Sequence, residues 1–167
     1  FQEKYACSSA AGGLKMISIG LVPELTAQAS REASLGAGAK VWKTYSFQLT
    51  KGDLKEIEAY HPDIILLTGG TDGGNTECIL YNAKVLAGLS YDCPIVIAGN
   101  RNAADDCQEI LEGRTTYICE NVMPRLGELD IEPTQKQIRE IFLYRIVQGK
   151  GLTNAMDLVS GIIMPTP

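Results

Sequence analysis

The residues best suited to binding chemistry form a glycine-rich loop behind an apolar run. The run Ile64–Leu67 predicts a strand buried on both faces, and the loop Thr68–Asn75 that follows it contains four glycines. Glycine permits positive φ and lets a ligand approach the backbone closely. A helical pattern over 77–89 places this loop at a helix N-terminus, where backbone N–H groups favour anions. The loop is therefore a candidate anion site, and a tight strand-to-helix turn without a ligand is the alternative.

The spacing of these glycines matches neither standard phosphate motif. A Walker loop needs Gly-Lys-Ser/Thr after its glycines, and the loop Thr68–Asn75 has no such sequence. Glycines at 69, 70, 73 and 74 also do not make the dinucleotide fingerprint Gly-x-Gly-x-x-Gly. The loop therefore carries no recognised nucleotide signature of its own.

Alternating strands and helices must position the loop. The apolar pattern predicts helices at 23–35, 54–60, 77–89 and 102–111 between five strands at 15–22, 40–47, 63–68, 94–99 and 115–119. This alternation implies right-handed βαβ crossovers and a parallel sheet. The predicted fold class is α/β, with a doubly wound, mainly parallel five-stranded flavodoxin-like (Rossmann-like) sheet.

The predicted organisation has three parts. Residues 1–14 form an N-terminal strand, paired as a hairpin with the first strand of the sheet, and residues 15–123 form the flavodoxin-like domain. Residues 124–167 form a loop and a C-terminal helical extension, with helices at 134–147 and 154–159. The apolar side of the longer helix is expected to face the core or a partner. The chain starts without methionine and ends in an apolar tail, so we expect a fragment of a longer protein.

Polar residues gather where the predicted strands end, which is where open parallel sheets bind ligands. The candidate ligand-binding residues are Thr68, Gly69, Gly70, Thr71, Asp72, Asn75, Gly99, Asn100, Arg101, Asn121 and Arg125. Helix N-termini, Arg101 and the Asn side chains would suit a small anionic or hydrogen-bonding ligand. The alternative is that Asn75, Asn100 and Asn102 only cap helices and fill left-handed turns.

The chain offers few groups for catalysis or metal binding. Asp72 and Glu120 have no visible acid–base partner, and there is no serine elbow. His61 is the only histidine, which excludes a histidine-based metal cluster and favours a helix-end or turn role. Five cysteines lack any Cys-x-x-Cys pair, which favours buried free thiols in a reducing compartment: Cys7, Cys78, Cys93, Cys107 and Cys119. We therefore predict no catalytic residues and no metal site.

Bulk properties exclude two classes of partner. With 167 residues, the chain suits one domain with a substantial core. A net charge of −5 without a Lys/Arg cluster argues against a nucleic-acid surface. No apolar run approaches the roughly 20 residues that span a bilayer, and no signal peptide is visible. We expect a cytoplasmic protein that binds neither nucleic acid nor membrane.

Well-separated motifs give the chain a family resemblance. They are Cys7–Leu14, Gly20–Thr26, Leu67–Asn75, Ala98–Arg101 and Glu120–Gly127. Together they resemble the glutamate mutase accessory family called MutL or GlmL, which is unrelated to the mismatch-repair protein of that name. The resemblance covers essentially the whole chain. It implies an actin/Hsp70-type, ATPase-like protein with a chaperone or reactivating role toward adenosylcobalamin-dependent glutamate mutase. The partners it implies are glutamate mutase subunits and the remainder of the full-length chain.

The chain also departs from the pattern of that family. The family's phosphate loops, of the types Asp-Phe-Gly-Ser-Thr-Tyr-Thr-Lys and Asp-Val-Gly-Gly-Ala-Thr-Thr-Asp, should lie before Phe1 and after Pro167, and neither occurs here. ATP and Mg²⁺ are thus implied for the full-length family, whereas their motifs are absent from this chain. Cobalamin-binding domains of similar architecture use an Asp-x-His-x-x-Gly loop after the first strand. Here that position, Gly20–Thr26, has no histidine, so histidine-ligated cobalamin is excluded at this loop.

Three functional hypotheses follow. The first is a non-catalytic central domain of the accessory ATPase, which contacts partners or transmits nucleotide state. The second is a small-ligand or nucleotide-binding α/β domain that uses the carboxyl-end rim. The third is an autonomous enzyme, for which Asp72 is the best acid–base candidate.

Overall fold

The computed structural model describes residues 14–125 and 127–150, with side chains as far as Arg145 in the last helix. The five strands are β1 Leu14–Gly20, β2 Ala39–Ser46, β3 Ile64–Leu67, β4 Ile95–Ile97 and β5 Thr116–Ile118. The five helices are α1 Pro23–Ser34, α2 Lys51–Tyr60, α3 Glu77–Leu86, α4 Arg101–Ile110 and α5 Glu132–Lys150. Every strand pair is parallel, in the order β2-β1-β3-β4-β5. This order confirms the predicted doubly wound, flavodoxin-like sheet.

The central strands are apolar throughout because helices cover both faces of the sheet. Successive strand residues point to opposite faces, and β3 shows the consequence. Ile65 and Leu67 belong to the core under α2, α3 and α4, whereas Ile64 and Leu66 belong to the core under α1 and α5. All four side chains are at most 1% exposed. The glycine-rich loop therefore begins directly after a fully buried strand at the centre of the sheet.

Helix α2 shows how local sequence sets element boundaries. Thr50 Oγ1 accepts a hydrogen bond from Asp53 N at 3.0 Å, and Asp53 Oδ2 accepts one from Thr50 N at 3.0 Å. Such a reciprocal cap contributes about 1 kcal/mol. The helix ends at His61, whose φ of 59° is left-handed and whose ring stacks on Tyr91 at 3.8 Å. The box formed by Thr50 and Asp53 thus sets the start of α2, and the helix-end role predicted for His61 is confirmed.

Helix α5 begins two residues earlier than predicted and packs on the same face of the sheet as α1. Ile138 and Ile141 are buried in that core, which confirms that the apolar side of this helix faces inward. Gly38, with a φ of +87°, lies against the ring of Phe142, where a Cβ would overlap the ring atoms. None of the described helices has the length and hydropathy needed to cross a membrane.

Two predicted elements fall on parts of the chain outside the described residues. The N-terminal hairpin strand and the helix at 154–159 both lie there. Within the described residues, β1 pairs with β2 on one side and with β3 on the other.

The described cysteines are free thiols, as predicted. Cys78, Cys93 and Cys107 are buried, and Cys119 is half-buried. Burial raises the pKa of Cys93 and of Cys107 to about 12 and that of Cys119 to about 11. Burial thus favours the protonated form of these three thiols at neutral pH.

Candidate functional site at the switch point of the sheet

The strand order places a crevice between β1 and β3. The chain leaves β1 toward one edge and β3 toward the other, so the switch point lies between their carboxyl ends. A cavity of about 230 Å³ lies there. From the segment after β1 it is lined by Leu21, Val22, Leu25, Thr26 and Ala29, from the loop after β3 by Thr68, Gly69, Gly70, Thr71 and Asn75, and from the segment after β5 by Asn121, Val122 and Met123.

The cavity combines an apolar wall with a small polar corner. Thr68 Oγ1 donates a hydrogen bond to the carbonyl oxygen of Ile19 at 2.8 Å. Beside it, a Cβ on Gly20 would overlap Thr26 Oγ1 and would lie 2.8 Å from Thr68 Oγ1. Glycine at the end of β1 therefore lets two hydroxyl groups close in on the backbone, whereas the side chains from α1 supply mainly apolar surface.

The glycines after β3 serve the path of the loop itself. Gly69, Gly70 and Gly73 have φ values of +145°, +76° and +78°, which are left-handed or otherwise restricted to glycine. At Gly70, a Cβ would overlap the carbonyl oxygen of Asn75. The glycine spacing is therefore explained by a tightly folded turn.

Asn100 fastens this turn to the start of α4. Its side chain is fully buried, and its Oδ1 accepts hydrogen bonds from Gly73 N at 3.2 Å and Asn102 N at 2.9 Å. Its Nδ2 donates to the carbonyl oxygens of Gly74 at 3.0 Å and Asn75 at 3.1 Å. An amide side chain has two donor hydrogens and two acceptor lone pairs, so this network uses all of them.

Asp72 and Asn121 complete the connection to the segment after β5. Asp72 Oδ1 accepts hydrogen bonds from Arg101 N at 2.9 Å and from Asn121 Nδ2 at 3.1 Å. Asn121 also donates from Nδ2 to Gly70 O at 3.0 Å and accepts at Oδ1 from Met123 N at 3.0 Å. Three loops from three neighbouring strands are thereby held together around the cavity.

The N-termini of α3 and α4 carry side-chain caps, which bears on the ATP and Mg²⁺ that the family resemblance implies. Asn75 Oδ1 accepts from Cys78 N at 3.0 Å in α3, and α4 is capped by Asp72 and Asn100. A triphosphate approaching α4 would meet the Asp72 carboxylate, and every residue that lines the cavity is uncharged. The residues here therefore do not fit a magnesium–nucleotide complex.

The structure brings six of the eleven predicted site residues to the cavity: Thr68, Gly69, Gly70, Thr71, Asn75 and Asn121. Gly99 lies behind it, where a Cβ would come within 3.0 Å of the Gly69 backbone. Asp72 and Asn100 hold the loops, and the side chain of Arg101 is exposed at the start of α4. The exposed Arg125 has its Nε 4.0 Å from Glu128 Oε1. Ligand binding by any of these residues stays a prediction.

The sequence search missed the apolar side of the cavity. Leu21, Val22 and Leu25 follow β1, and Val122 and Met123 follow β5. The available signal was topological, because a flavodoxin-like order implies a switch between the first and third strands and hence a contribution from the β1–α1 segment. Polar residue patterns alone do not indicate these apolar lining residues.

Metal binding and histidine chemistry find no support at this edge. Among the described residues, no three His, Cys, Asp or Glu side chains are grouped closely enough to hold a metal ion. His61 precedes β3 and thus lies at the amino ends of the strands, whereas the cavity lies at their carboxyl ends.

Comparison with known proteins places the chain in a family. The model of the family described as MutL protein matches residues 1–167. The chain belongs to the MutL family. A MutL relative, Protein MutL from Clostridium tetanomorphum, is 53% identical over 169 aligned residues, covering 100% of this chain and 37% of the relative. The chain thus spans a little over a third of the length of that MutL protein.

A solved structure also shows some likeness to this MutL-family chain. It is the signal receiver domain of NarL from Mycobacterium tuberculosis, with a TM-score of 0.44 and 14% identity over 84% of this chain and 98% of that one. The fold assignment itself rests on the strand order and the parallel pairing described above.

Proposed function

We propose that this chain is the central domain of an accessory, chaperone-like or reactivating ATPase-type protein that serves adenosylcobalamin-dependent glutamate mutase. In this proposal the domain is itself non-catalytic and contacts partners or transmits nucleotide state. The observation that carries the proposal is the MutL-family match over residues 1–167. The association with glutamate mutase comes from the family resemblance of the motifs described above.

The occupied polar groups at the carboxyl edge support a non-catalytic role. The carboxylate of Asp72, the best acid–base candidate, accepts hydrogen bonds from Arg101 N and Asn121 Nδ2. Asn100 has all its hydrogen-bonding capacity engaged within the protein. Both side chains therefore hold loops together, and only Oδ2 of the Asp72 carboxylate lies outside this network among the described contacts.

The β2 edge supports a role in partner contact. Strand β2 lies at one edge of the described sheet. The side chain of Trp42 in this strand is 46% exposed, and its ring stacks on that of Tyr60 with the ring centroids 4.1 Å apart. Just after the strand, Phe47 is 60% exposed and has a φ of +66°. Exposed aromatic side chains of this kind are enriched at the centres of protein interfaces.

Two measurements test the proposal. The purified 167-residue chain should not hydrolyse ATP, and measurable turnover above a mock preparation would overturn the non-catalytic assignment. In the full-length protein, Trp42→Ala combined with Phe47→Ala should weaken capture of glutamate mutase subunits at least about tenfold, the loss expected of an interface hot spot. Leu35→Ala, at a side chain that is 72% exposed, is the matched control. If full-length protein lacking this domain captures the mutase equally well, the partner-contact role is wrong.

A further inference from the structure

We propose that the cavity at the β1–β3 switch point binds an uncharged, largely apolar small molecule that carries a hydrogen-bond donor. This goes beyond the proposed mutase role, which requires no ligand at this position. The argument uses the volume of the cavity, its lining, its remaining hydrogen-bonding capacity and its rigidity.

The volume sets the size of the ligand. An engineered apolar cavity of about 150 Å³ accepts benzene, which has six carbon atoms, or about 25 Å³ per atom. At the same ratio, the cavity of about 230 Å³ here accepts about nine non-hydrogen atoms. Such a ligand has the size of a fused bicyclic ring.

The residues that line the cavity determine the charge and polarity that a ligand can have. Leu21, Leu25, Val122 and Met123 supply apolar surface, and no lining residue carries a charge. A buried ion without a partner is strongly disfavoured, so a neutral ligand is selected over a carboxylate or an ammonium group.

The polar corner sets the hydrogen bond. Thr68 Oγ1 donates its proton to Ile19 O, so its lone pairs are what it can offer a ligand. Asn121 Nδ2 donates to Gly70 O and Asp72 Oδ1, whereas its Oδ1 accepts only from Met123 N among the described contacts. Both side chains therefore present acceptor capacity, which matches an N–H or O–H donor on the ligand.

Hydrogen bonds within the chain fix the shape of the cavity. The hydrogen bonds of Asn100, Asp72 and Asn121 hold its three loops in place. Val22, which is 40% exposed, marks an opening beside the start of α1. A preformed site avoids the cost of ordering loops on binding.

The test is a titration of the 167-residue chain with indole, followed by NMR of its methyl groups. Indole is a neutral bicyclic probe with one N–H donor, and benzoate is a charged probe of similar size. We expect saturable shifts at Ala29, Val122 and Met123 with indole, and at least tenfold weaker binding of benzoate. An absence of saturable shifts at these methyl groups, or equal affinity for benzoate, would overturn the proposal.

Matched substitutions locate the binding. Leu25→Trp places a large ring in the cavity, because Leu25 is a half-buried residue of its lining. Leu35→Trp makes the same change at an exposed position just after α1 and is the control. We expect at least tenfold weaker indole binding in the first variant and unchanged binding in the second. If circular dichroism shows that Leu25→Trp does not fold, Val22→Trp takes its place. Equal affinities in the filled and control variants contradict the site, and neither result bears on capture of the mutase.

Discussion

Replacing Asn100 by alanine should release the glycine turn from α4. The substitution removes two hydrogen bonds accepted by Oδ1 and two donated by Nδ2 from a fully buried side chain. At about 0.5–1.5 kcal/mol each, four bonds sum to about 2–6 kcal/mol. Gly73, Gly74 and Asn75 are exposed, so water can replace part of this loss. We therefore expect a decrease of about 3 kcal/mol in the free energy of unfolding.

Urea denaturation followed by circular dichroism measures this loss, provided that the transition is two-state. For a domain of this size, about 3 kcal/mol corresponds to a decrease of about 6–12 °C in Tm. Asn102→Ala is the matched control, because its side chain is exposed two residues away in α4. That control should change stability by no more than about 0.5 kcal/mol. If the two variants lose the same stability, Asn100 does not hold the turn as we describe.

Four further predictions concern the same edge and the core. Gly70→Ala should lower the free energy of unfolding by at least about 2 kcal/mol, because Gly70 has positive φ and a backbone oxygen lies where its Cβ would be. Gly113→Ala should lower it by only about 1 kcal/mol, because Gly113 has positive φ but open space around its Cβ position. Equal losses on denaturation would contradict this steric argument. Asp72→Ala removes one of the two side-chain acceptors at the N-terminus of α4 and should cost about 1 kcal/mol in the same assay. Asp72→Asn, which keeps an acceptor oxygen, should cost less. Cys93 and Cys107 should react with iodoacetamide at pH 8 only after denaturation, as peptide mass spectrometry can check, and labelling of the native chain would show that they are accessible. Burial raises the pKa of both thiols from 9.0 to about 12, so their contribution to stability is complete below pH 9 and should be lost as the pH rises toward 12.

Local sequence predicted the elements because their causes are local. The apolar run of β3 and the reciprocal cap between Thr50 and Asp53 each depend on residues within a few positions of one another. His61 ends α2 for a similarly local reason, since a left-handed residue stops the helix just before Pro62. These features needed no knowledge of distant contacts.

The glycine loop shows where local reasoning stops. Its glycines suggested a cradle for an anion, and its Asn and Asp residues were equally compatible with capping. Asn100 bonds to groups 25 to 27 residues earlier, and Asn121 bonds to Asp72 across 49 residues. Only the adjacency of β3, β4 and β5 brings these groups together, so the capping role became visible in the folded chain.

The sequence by itself determined the α/β class, the parallel sheet, most element positions and, through its motifs, the family, because these depend on local pattern. The tertiary structure decided that hydrogen bonds from Asn100 and Asn121, which belong to two later loops, hold the glycine turn in place. It also decided that the open space lies between β1 and β3, against apolar residues of α1. A cavity is defined by what neighbouring strands leave unfilled, and that depends on the order of strands in space rather than along the chain.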